Sequence, residues 1–411
     1  MRSRPRVGLL LLVSALLACA PADAAAAPPA RHALSPKERE AILMLIKAVD
    51  LAQEVDAPSA DGLSWESHVL KSGDETAYVP FRLTLDEAAA GGLKSPAIYV
   101  RVVTRRDGFR VKEERSSMRD RLLHGSDVMA RMPETIYVGV GEMPVGGLAA
   151  ASTKQATAAA ATASAAMALQ QRAYEKQKRL DEAAQIKRET RQRDPLIFPF
   201  EDYYLVDLAA RSADPRRIER ALSMPPGEYD VFVALVDRAK VKTSSALILK
   251  QRLTVPDFWN DQLSLSSLIL VSDVHPLKAA LPAAQQAEHP YTLGQTEIVP
   301  VVAPSFSTGE ALSVVYQMCN YGAPDSDLTA EYTFYRTDGA RRIFNRTDPQ
   351  QYADADLPPP GTWSTQAFAM QTVPLRPFPP GAYELEVTVR DRLTRLTAKG
   401  TVAFTVVSEV R

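Results

Sequence analysis

The sequence predicts a mainly β protein with two β-sandwiches, an N-terminal helix, and a long charged helix inserted in the first sandwich. One stretch occurs twice: residues 225–238 and 379–392 both read Pro-Pro-Gly-x-Tyr, alternate in polarity, and end in Asp-Arg. Short β-rich segments separated by Gly, Asp and Pro recur along the chain, as in sandwich proteins. The chain also holds 30 prolines in 411 residues, above the usual fraction of about 5%.

Residues 1–30 are predicted to be a signal peptide and a disordered lead-in. Arginines at positions 2, 4 and 6 precede an apolar run that is too short to span a bilayer. The tetrad Leu16-Leu17-Ala18-Cys19 resembles a bacterial lipobox, in which Cys19 becomes the lipidated first residue and the membrane anchor. The alternative is ordinary signal cleavage near Ala24. We therefore expect an exported protein: an outer-membrane lipoprotein, a cell-surface protein or a periplasmic protein.

The net charge argues against one class of protein, and the cysteine content argues against a disulfide. The net charge of −1 argues against a nucleic-acid binder, which needs a basic surface. The two cysteines are Cys19 and Cys319, and a disulfide between a signal segment and a domain is implausible. An exported protein without a disulfide depends on core packing for its stability.

Residues 35–56 are predicted to form an amphipathic helix. Ser35 can cap its N-terminus, Pro36 suits the first helical position, and Glu38 completes a capping box. An apolar stripe then recurs at helical spacing: Ile42, Leu45, Ile46, Val49 and Ala52. We expect the helix to dock on the first sandwich; the alternative is a spacer or partner-binding helix near the membrane.

The first sandwich is predicted over residues 60–256, with a helical insertion at about 105–195. Within the insertion, residues 149–166 are almost all Ala, Thr and Ser, and residues 167–193 are rich in strong helix formers. We expect one solvated helix there; the alternative is a basic helix that contacts anionic lipid or a wall polymer. Strands are expected at 63–70, 76–85, 97–104, 203–209 and 246–255 besides the motif, with a turn or short helix at 216–222.

The second sandwich is predicted over residues 262–408. In each half a strand precedes the motif and a return strand follows it, so we expect two sandwiches of one type. Few contacts are expected to cross Pro256-Asp257. Strands are expected at 263–271, 312–319, 328–336, 363–370 and 397–407 besides the motif, with a strand and turn at 292–302 and a short strand at 341–344.

Gly227, Tyr229, Gly381 and Tyr383 are predicted to build two structural corners. Pro-Gly suits a type II turn, because Pro fixes φ and Gly supplies a positive φ. In immunoglobulin-like folds a Tyr near the start of the penultimate strand buries its ring and bonds its hydroxyl back to the corner. Tyr229 and Tyr383 hold matching places, so both sandwiches are predicted to be immunoglobulin-like.

Three segments of the second sandwich carry a resemblance: Phe-Ser-Thr-Gly-Glu-Ala-Leu-Ser-Val-Val-Tyr-Gln at 306–317, Asn-Tyr-Gly at 320–322, and Phe-Pro-Pro-Gly-Ala-Tyr at 378–383. With Asp-Arg at 391–392 and Phe-Thr-Val at 404–406, this half resembles the C-terminal β-domains of secreted proteins from Acidobacteria-like bacteria. Many of those proteins also carry a GWxTD domain, although this chain lacks the GWxTD pentapeptide. The resemblance covers residues 262–408 and, more weakly, the first sandwich. It implies an envelope location and an immunoglobulin-like fold.

No residue pattern assembles a catalytic or metal site. The five histidines are scattered, and no His-x-x-x-His, Cys-x-x-Cys, phosphate loop or Gly-x-Ser-x-Gly occurs. We therefore predict no catalytic residue, no metal and no cofactor. The leading hypothesis is a non-catalytic cell-envelope protein, a tethered sandwich array that binds an unknown envelope protein or polysaccharide or acts as a spacer. The alternative is an accessory subunit or cryptic hydrolase of the periplasm.

Overall fold

The computed structural model confirms a mainly β protein made of two immunoglobulin-like sandwiches. Cys19 and most of the predicted insertion at 105–195, including its charged helix, lie outside the residues that the structure describes. The described residues are 33–55, 59–72, 75–106, 109–110, 118–119, 122, 198–208, 216–260, 262–321, 328–352 and 366–408.

The described strands form four sheets, and the helices are α1 (Pro36–Glu54), α2 (Glu87–Gly92) and α3 (Ala283–Gln286). Sheet 1 contains β4 (Pro96–Arg106), β5 (Phe109–Arg110), β6 (Phe200–Leu205), β8 (Gly227–Asp237) and β9 (Leu247–Val255). Sheet 2 contains β1 (Leu63–Ser67), β2 (Leu70–Lys71), β3 (Ala77–Leu85) and β7 (Arg217–Met224). Sheet 3 contains β10 (Ser264–Leu265), β11 (Ile269–Pro276), β12 (Thr292–Leu293), β13 (Thr296–Pro300), β15 (Ala311–Cys319) and β19 (Gln366–Pro374). Sheet 4 contains β14 (Ser305–Ser307), β16 (Leu328–Arg336), β17 (Arg342–Arg346), β18 (Gln350–Gln351), β20 (Gly381–Asp391) and β21 (Thr397–Val407).

The two sandwiches share one strand arrangement. Sheet 1 runs β6–β4–β8–β9, and sheet 4 repeats this order as β17–β16–β20–β21. Sheet 2 pairs β3 with β7, and sheet 3 pairs β15 with β19, antiparallel in both cases. The motif strands β8 and β20 are therefore central strands, each flanked by its return strand, as the repeat in the sequence predicts.

Helix α1 docks on the outer face of sheet 1. Its N-terminus has the predicted capping box: the Glu38 amide donates to the Ser35 hydroxyl at 3.3 Å, and the Ser35 amide donates to the Glu38 carboxylate at 2.9 Å. The predicted apolar stripe is buried against Tyr99 and Phe232 of the sheet. An amphipathic helix gains most of its stability from such burial. The structure therefore supports the prediction that this helix docks on the first sandwich.

Arg101 lies buried under this helix, on the strand face opposite to Val100. Its Nη1 atom lies 2.6 Å from a carboxylate oxygen of Asp50 in α1. Its guanidinium also lies 4.3 Å from the ring centroid of Phe198. The ion pair therefore fixes α1 to the sheet from within.

Several predictions from the sequence are wrong. Residues 217–222 of the segment 216–222, which was predicted as a turn or short helix, belong to strand β7, which pairs with β3. The single strands expected at 63–70 and 263–271 are two strands each, β1 with β2 and β10 with β11. The expectation of few contacts across Pro256-Asp257 fails because sheets 2 and 3 meet in a buried junction, which includes Leu70 and Val315.

At each corner the chain crosses from one sheet to the other. The Tyr229 hydroxyl donates to the Pro225 carbonyl at 2.8 Å, and the Tyr383 hydroxyl donates to the Pro379 carbonyl at 2.6 Å. Both tyrosine rings are buried. Each tyrosine thus fills the core and satisfies a backbone carbonyl of the crossover, which an apolar ring could not do.

The corner glycines are held in a conformation that L side chains rarely adopt, with φ of 155° at both Gly227 and Gly381. A Cβ atom at Gly227 would lie 2.9 Å from the Tyr229 hydroxyl oxygen, and one at Gly381 would lie 2.9 Å from a carboxylate oxygen of Asp338. A side chain at either position therefore strains the turn and displaces a polar partner.

The Tyr383 corner gives the first testable prediction. Tyr383→Phe removes one hydroxyl hydrogen bond and should lower the free energy of unfolding by about 0.5–1.5 kcal/mol. Tyr383→Ala also empties the ring's site and should cost about 3–5 kcal/mol. Urea unfolding measures both values. Tyr335→Phe, on the outer face of the same sheet, is the control and should change little. Equal losses for Tyr383→Phe and Tyr383→Ala would contradict the division of roles between ring and hydroxyl.

Candidate functional site

The sequence-predicted site residues do not meet in one place. Cys19 lies outside the described residues, and the four corner residues hold the two crossovers described above. The polar groups that do converge lie at the junction, where the outer face of sheet 2 meets the outer face of sheet 3. Sequence reasoning missed this junction, although polar residues inside strand segments, such as His68 and Arg82, were its available signal.

An apolar cluster forms the centre of the junction. Leu70 and Tyr78 of sheet 2 pack against Ile269, Val271 and Val315 of sheet 3. The Tyr78 hydroxyl donates to the Pro290 carbonyl at 2.8 Å, so the hydroxyl of this partly buried ring is satisfied. This contact joins the two sandwiches as a small core joins two layers.

Hydrogen bonds to backbone groups surround the apolar cluster. The Lys71 amide donates to the side-chain oxygen of Gln317 at 2.7 Å, and the Gln317 side-chain nitrogen donates to the Lys71 carbonyl at 3.2 Å. The Ser267 amide donates to the Val69 carbonyl at 2.9 Å, and the Val69 amide donates to the Ser267 hydroxyl at 2.8 Å. These two reciprocal pairs satisfy strand-edge groups of sheet 2 with residues from the second sandwich, so they fix the relative position of the sandwiches.

A charged row on sheet 2 is covered by the second sandwich. Arg82 lies between Glu66 and Glu219 on neighbouring strands, 3.5 Å and 2.7 Å from their carboxylates. Its Nη1 and Nη2 atoms each lie 3.4 Å from the Pro300 carbonyl oxygen. Burial raises the pKa of Glu66. The buried guanidinium is thereby paired on both sides and bridges the two sandwiches.

His68 is a junction histidine that is uncharged at neutral pH. Its Nδ1 atom lies 3.0 Å from the Tyr291 hydroxyl oxygen in a hydrogen bond. Burial, followed by the positive charge of Arg82, lowers the pKa of His68 from 6.5 to about 4. The imidazole therefore acts as a neutral structural group at pH 7.

Cys319 of strand β15 lies in the core of the first sandwich rather than in that of the second. Burial raises the pKa of its thiol to about 12. Such a thiol stays protonated at neutral pH and is a poor nucleophile. Cys319 is a packing residue that connects the two halves.

The outer face of sheet 4 is the second candidate surface. It presents acids and bases in neighbouring rows. Arg341 lies 2.7 Å from the Glu384 carboxylate and 3.4 Å from the ring centroid of Tyr335. Lys399 lies 3.0 Å from the carboxylate of Glu386. This face combines a stacked ring and guanidinium with paired charges, so it suits a polar partner and not an apolar one.

The described residues contain no group of three or more His, Cys, Asp or Glu side chains that could hold a metal ion. Among the same residues, no helix is both long and apolar enough to cross a membrane. The junction groups make hydrogen bonds and ion pairs to each other, so their arrangement can position two sandwiches; it offers no open pair of acid and base.

Comparison with known proteins assigns no family to this chain. No protein-family model matches the chain, and no curated protein matches it. Among solved structures, the crystal structure of red sea bream transglutaminase is similar over 87% of this chain and 33% of that chain, with a TM-score of 0.20 and 7% identity. The chain thus spans about a third of that protein's length, and a likeness at this level carries no inference about fold or activity.

His68 gives the second testable prediction. Its pKa is about 4 in the folded protein against an ordinary value of 6.5, so between these pH values the unfolded chain binds a proton that the folded chain does not. Its contribution to stability should therefore be constant above pH 6.5 and fall as the pH drops toward 4. At 1.36 kcal/mol per pKa unit, the loss should reach about 3 kcal/mol.

The measurement is urea unfolding at a series of pH values in this window for wild type and His68→Gln. Wild type should lose stability more steeply with acidification than His68→Gln does, since other titrating groups are common to both. His275→Gln, at an exposed histidine, is the matched control and should follow wild type. Parallel curves for wild type and His68→Gln would contradict the burial of a neutral imidazole.

Proposed function

We propose that this chain is a non-catalytic cell-envelope protein, a tethered sandwich array that holds its second sandwich at a fixed place and offers it to a protein or polysaccharide partner. The observation that carries the proposal is the order of the layers. Helix α1 packs on sheet 1, sheet 1 on sheet 2, sheet 2 on sheet 3, and sheet 3 on sheet 4. The N-terminal helix and the outer face of sheet 4 thus lie at opposite ends of the stack.

This order supports a spacer role. Packed layers lie about 10 Å apart, so sheet 4 lies roughly 40 Å from α1. The predicted lipid on Cys19 precedes α1 in the chain, so the tether joins the stack at its α1 end. The outer face of sheet 4 then faces away from the anchor.

The buried junction supports a fixed spacing. A flexible linker would let the two sandwiches move independently, whereas Gln317 and Ser267 bind backbone groups of the first sandwich directly. The Arg82 guanidinium adds a contact with the Pro300 carbonyl of the second sandwich. A partner bound on sheet 4 would therefore be held at a set distance from the anchor.

The outer face of sheet 4 supports a polar partner. Tyr335 with the stacked Arg341 forms a flat surface next to the carboxylates of Glu384 and Glu386. Donors and acceptors alternating beside a planar group fit the hydroxyl groups of a polysaccharide or a polar protein surface. The mixed charge and the net charge of −1 do not favour nucleic acid.

The tether is tested by Cys19→Ala. Two or more acyl chains anchor a protein firmly, because each buried CH₂ contributes about 0.8 kcal/mol. Cell fractionation should find the wild-type chain with the membranes and the Cys19→Ala chain in the soluble fraction. Retention of Cys19→Ala on the membranes, as in wild type, would show that lipidation is not the anchor.

The partner face is tested by the double substitution Tyr335→Ala with Arg341→Ala, which removes the ring and its stacked guanidinium. Co-sedimentation with isolated envelope polysaccharide, and pull-down from envelope extract, should both be measured. The double variant should lose most of whichever binding wild type shows. Lys242→Ala, an exposed cation on the first sandwich, is the control and should bind as wild type. Turnover of a glycan or peptide panel by wild type would contradict the non-catalytic proposal.

A further inference from the structure

Strand β19 forms one edge of sheet 3. It pairs with β15 along its whole length, from Gln366 opposite Cys319 to Pro374 opposite Ala311. Within the described residues no strand pairs with its other edge. Nine residues of regular, unbulged strand therefore present one row of backbone N–H and C=O groups outward.

This edge lacks the charged residues that commonly oppose pairing. Natural edge strands carry charged residues, because like charges oppose the docking of a second strand. The residues of β19 are Gln-Ala-Phe-Ala-Met-Gln-Thr-Val-Pro, without a charge. Its counterpart in the first sandwich, β7, carries Arg217, Glu219 and Arg220. In the described part of the chain, the other edge strands of five residues or more also carry charge: β1, β6, β9 and β17.

The side chains of this edge strand on the outer face of sheet 3 are uncharged and at least partly exposed. Phe368, Met370 and Thr372 alternate on the outer face of sheet 3, and the exposed fraction of Met370 is 39%. Phe368 packs at the margin of the junction cluster. Since Met370 and Thr372 are exposed, sheet 2 ends before this edge and leaves room for a neighbouring strand.

We infer that β19 pairs with β19 of a second copy of this chain, antiparallel, so that sheet 3 continues from one copy into the other. A two-fold axis at Met370 places Phe368 of each copy opposite Thr372 of the other. The strand holds no charge, so no like charges meet across the axis, and main-chain hydrogen bonds supply the contact. A self-complementary contact of this kind closes as a dimer.

The two-fold symmetry is compatible with the anchoring of both copies in one membrane, which rests on the proposed function. The two-fold axis is perpendicular to sheet 3, so both first sandwiches lie on the same side of the continuous sheet. Both α1 helices then face the same way, as two chains anchored in one membrane require. The strand pairing itself does not depend on the anchor.

The test uses the full chain in a Cys19→Ala background, so that a failure of the tether cannot be mistaken for a failure of pairing. Light scattering coupled to size exclusion should give the mass of two chains over a concentration series. Met370→Glu should weaken the dimer at least about tenfold, since two carboxylates would then face each other at the axis. Thermal unfolding of Met370→Glu should stay close to that of the background chain, because the side chain is partly exposed.

Cysteine cross-linking locates the contact. Under mild oxidation, Met370→Cys should form a disulfide-linked dimer in high yield. Ile343→Cys is the control: Ile343 has an exposed fraction of 55% and lies in an edge strand of sheet 4, so it should stay monomeric on a denaturing gel. A chain that is monomeric at all concentrations would overturn the proposal, as would a dimer that survives Met370→Glu or equal cross-linking of both cysteine variants. A monomer that instead binds an extended peptide along β19 would also overturn it and assign the edge to a different partner.

Discussion

The crossover from one sheet to the other is the constraint on which the rest of the structure depends. At both corners the chain must leave a strand, turn sharply and enter the centre of the facing sheet, while its backbone carbonyls remain satisfied. The hydroxyls of Tyr229 and Tyr383 meet this demand by bonding to Pro225 and Pro379. Each tyrosine ring is also part of the core of its own sandwich. The same side chain therefore stabilises the crossover and packs the core. The shared strand order of the two halves follows from that common crossover.

The two sandwiches differ where the repeat places different residues on the same face. Phe232, Ala234 and Val236 of β8 lie against α1. At the equivalent positions β20 carries Glu386, Thr388 and Arg390. An apolar outer face needs a cover, and the helix with its matching stripe supplies it; a polar face needs none. The polar alternation of β20 therefore accounts in part for the exposure of this end of the stack.

Much of the fold could be predicted from the alternation of polar and apolar residues. The junction between sheets 2 and 3 could not be predicted in this way. Strands with clean period two, such as β3, β15 and β20, were predicted close to their observed bounds. Strand β7 was missed because charged residues interrupt its apolar row. Arg220 occupies a buried position there, since its guanidinium lies 5.2 Å from the ring centroid of Tyr204. The junction was missed because Lys71 and Gln317 are separated by 246 residues, and no local pattern reports such a pairing. The corner residues were found because their partners lie four residues away.

The position of Cys319 has a consequence for the order in which the chain can fold. Its side chain completes the core of the first sandwich, together with Phe258 from the connecting segment, yet it belongs to a strand of the second. A chain that emerges from its N-terminus has all the strands of the first sandwich available long before residue 319 appears. That sandwich can form its sheets at this stage, but its core lacks the Cys319 side chain until β15 is synthesised. Complete packing of the N-terminal core therefore depends on synthesis of part of the C-terminal half, and a product truncated before residue 319 would lack this buried contact.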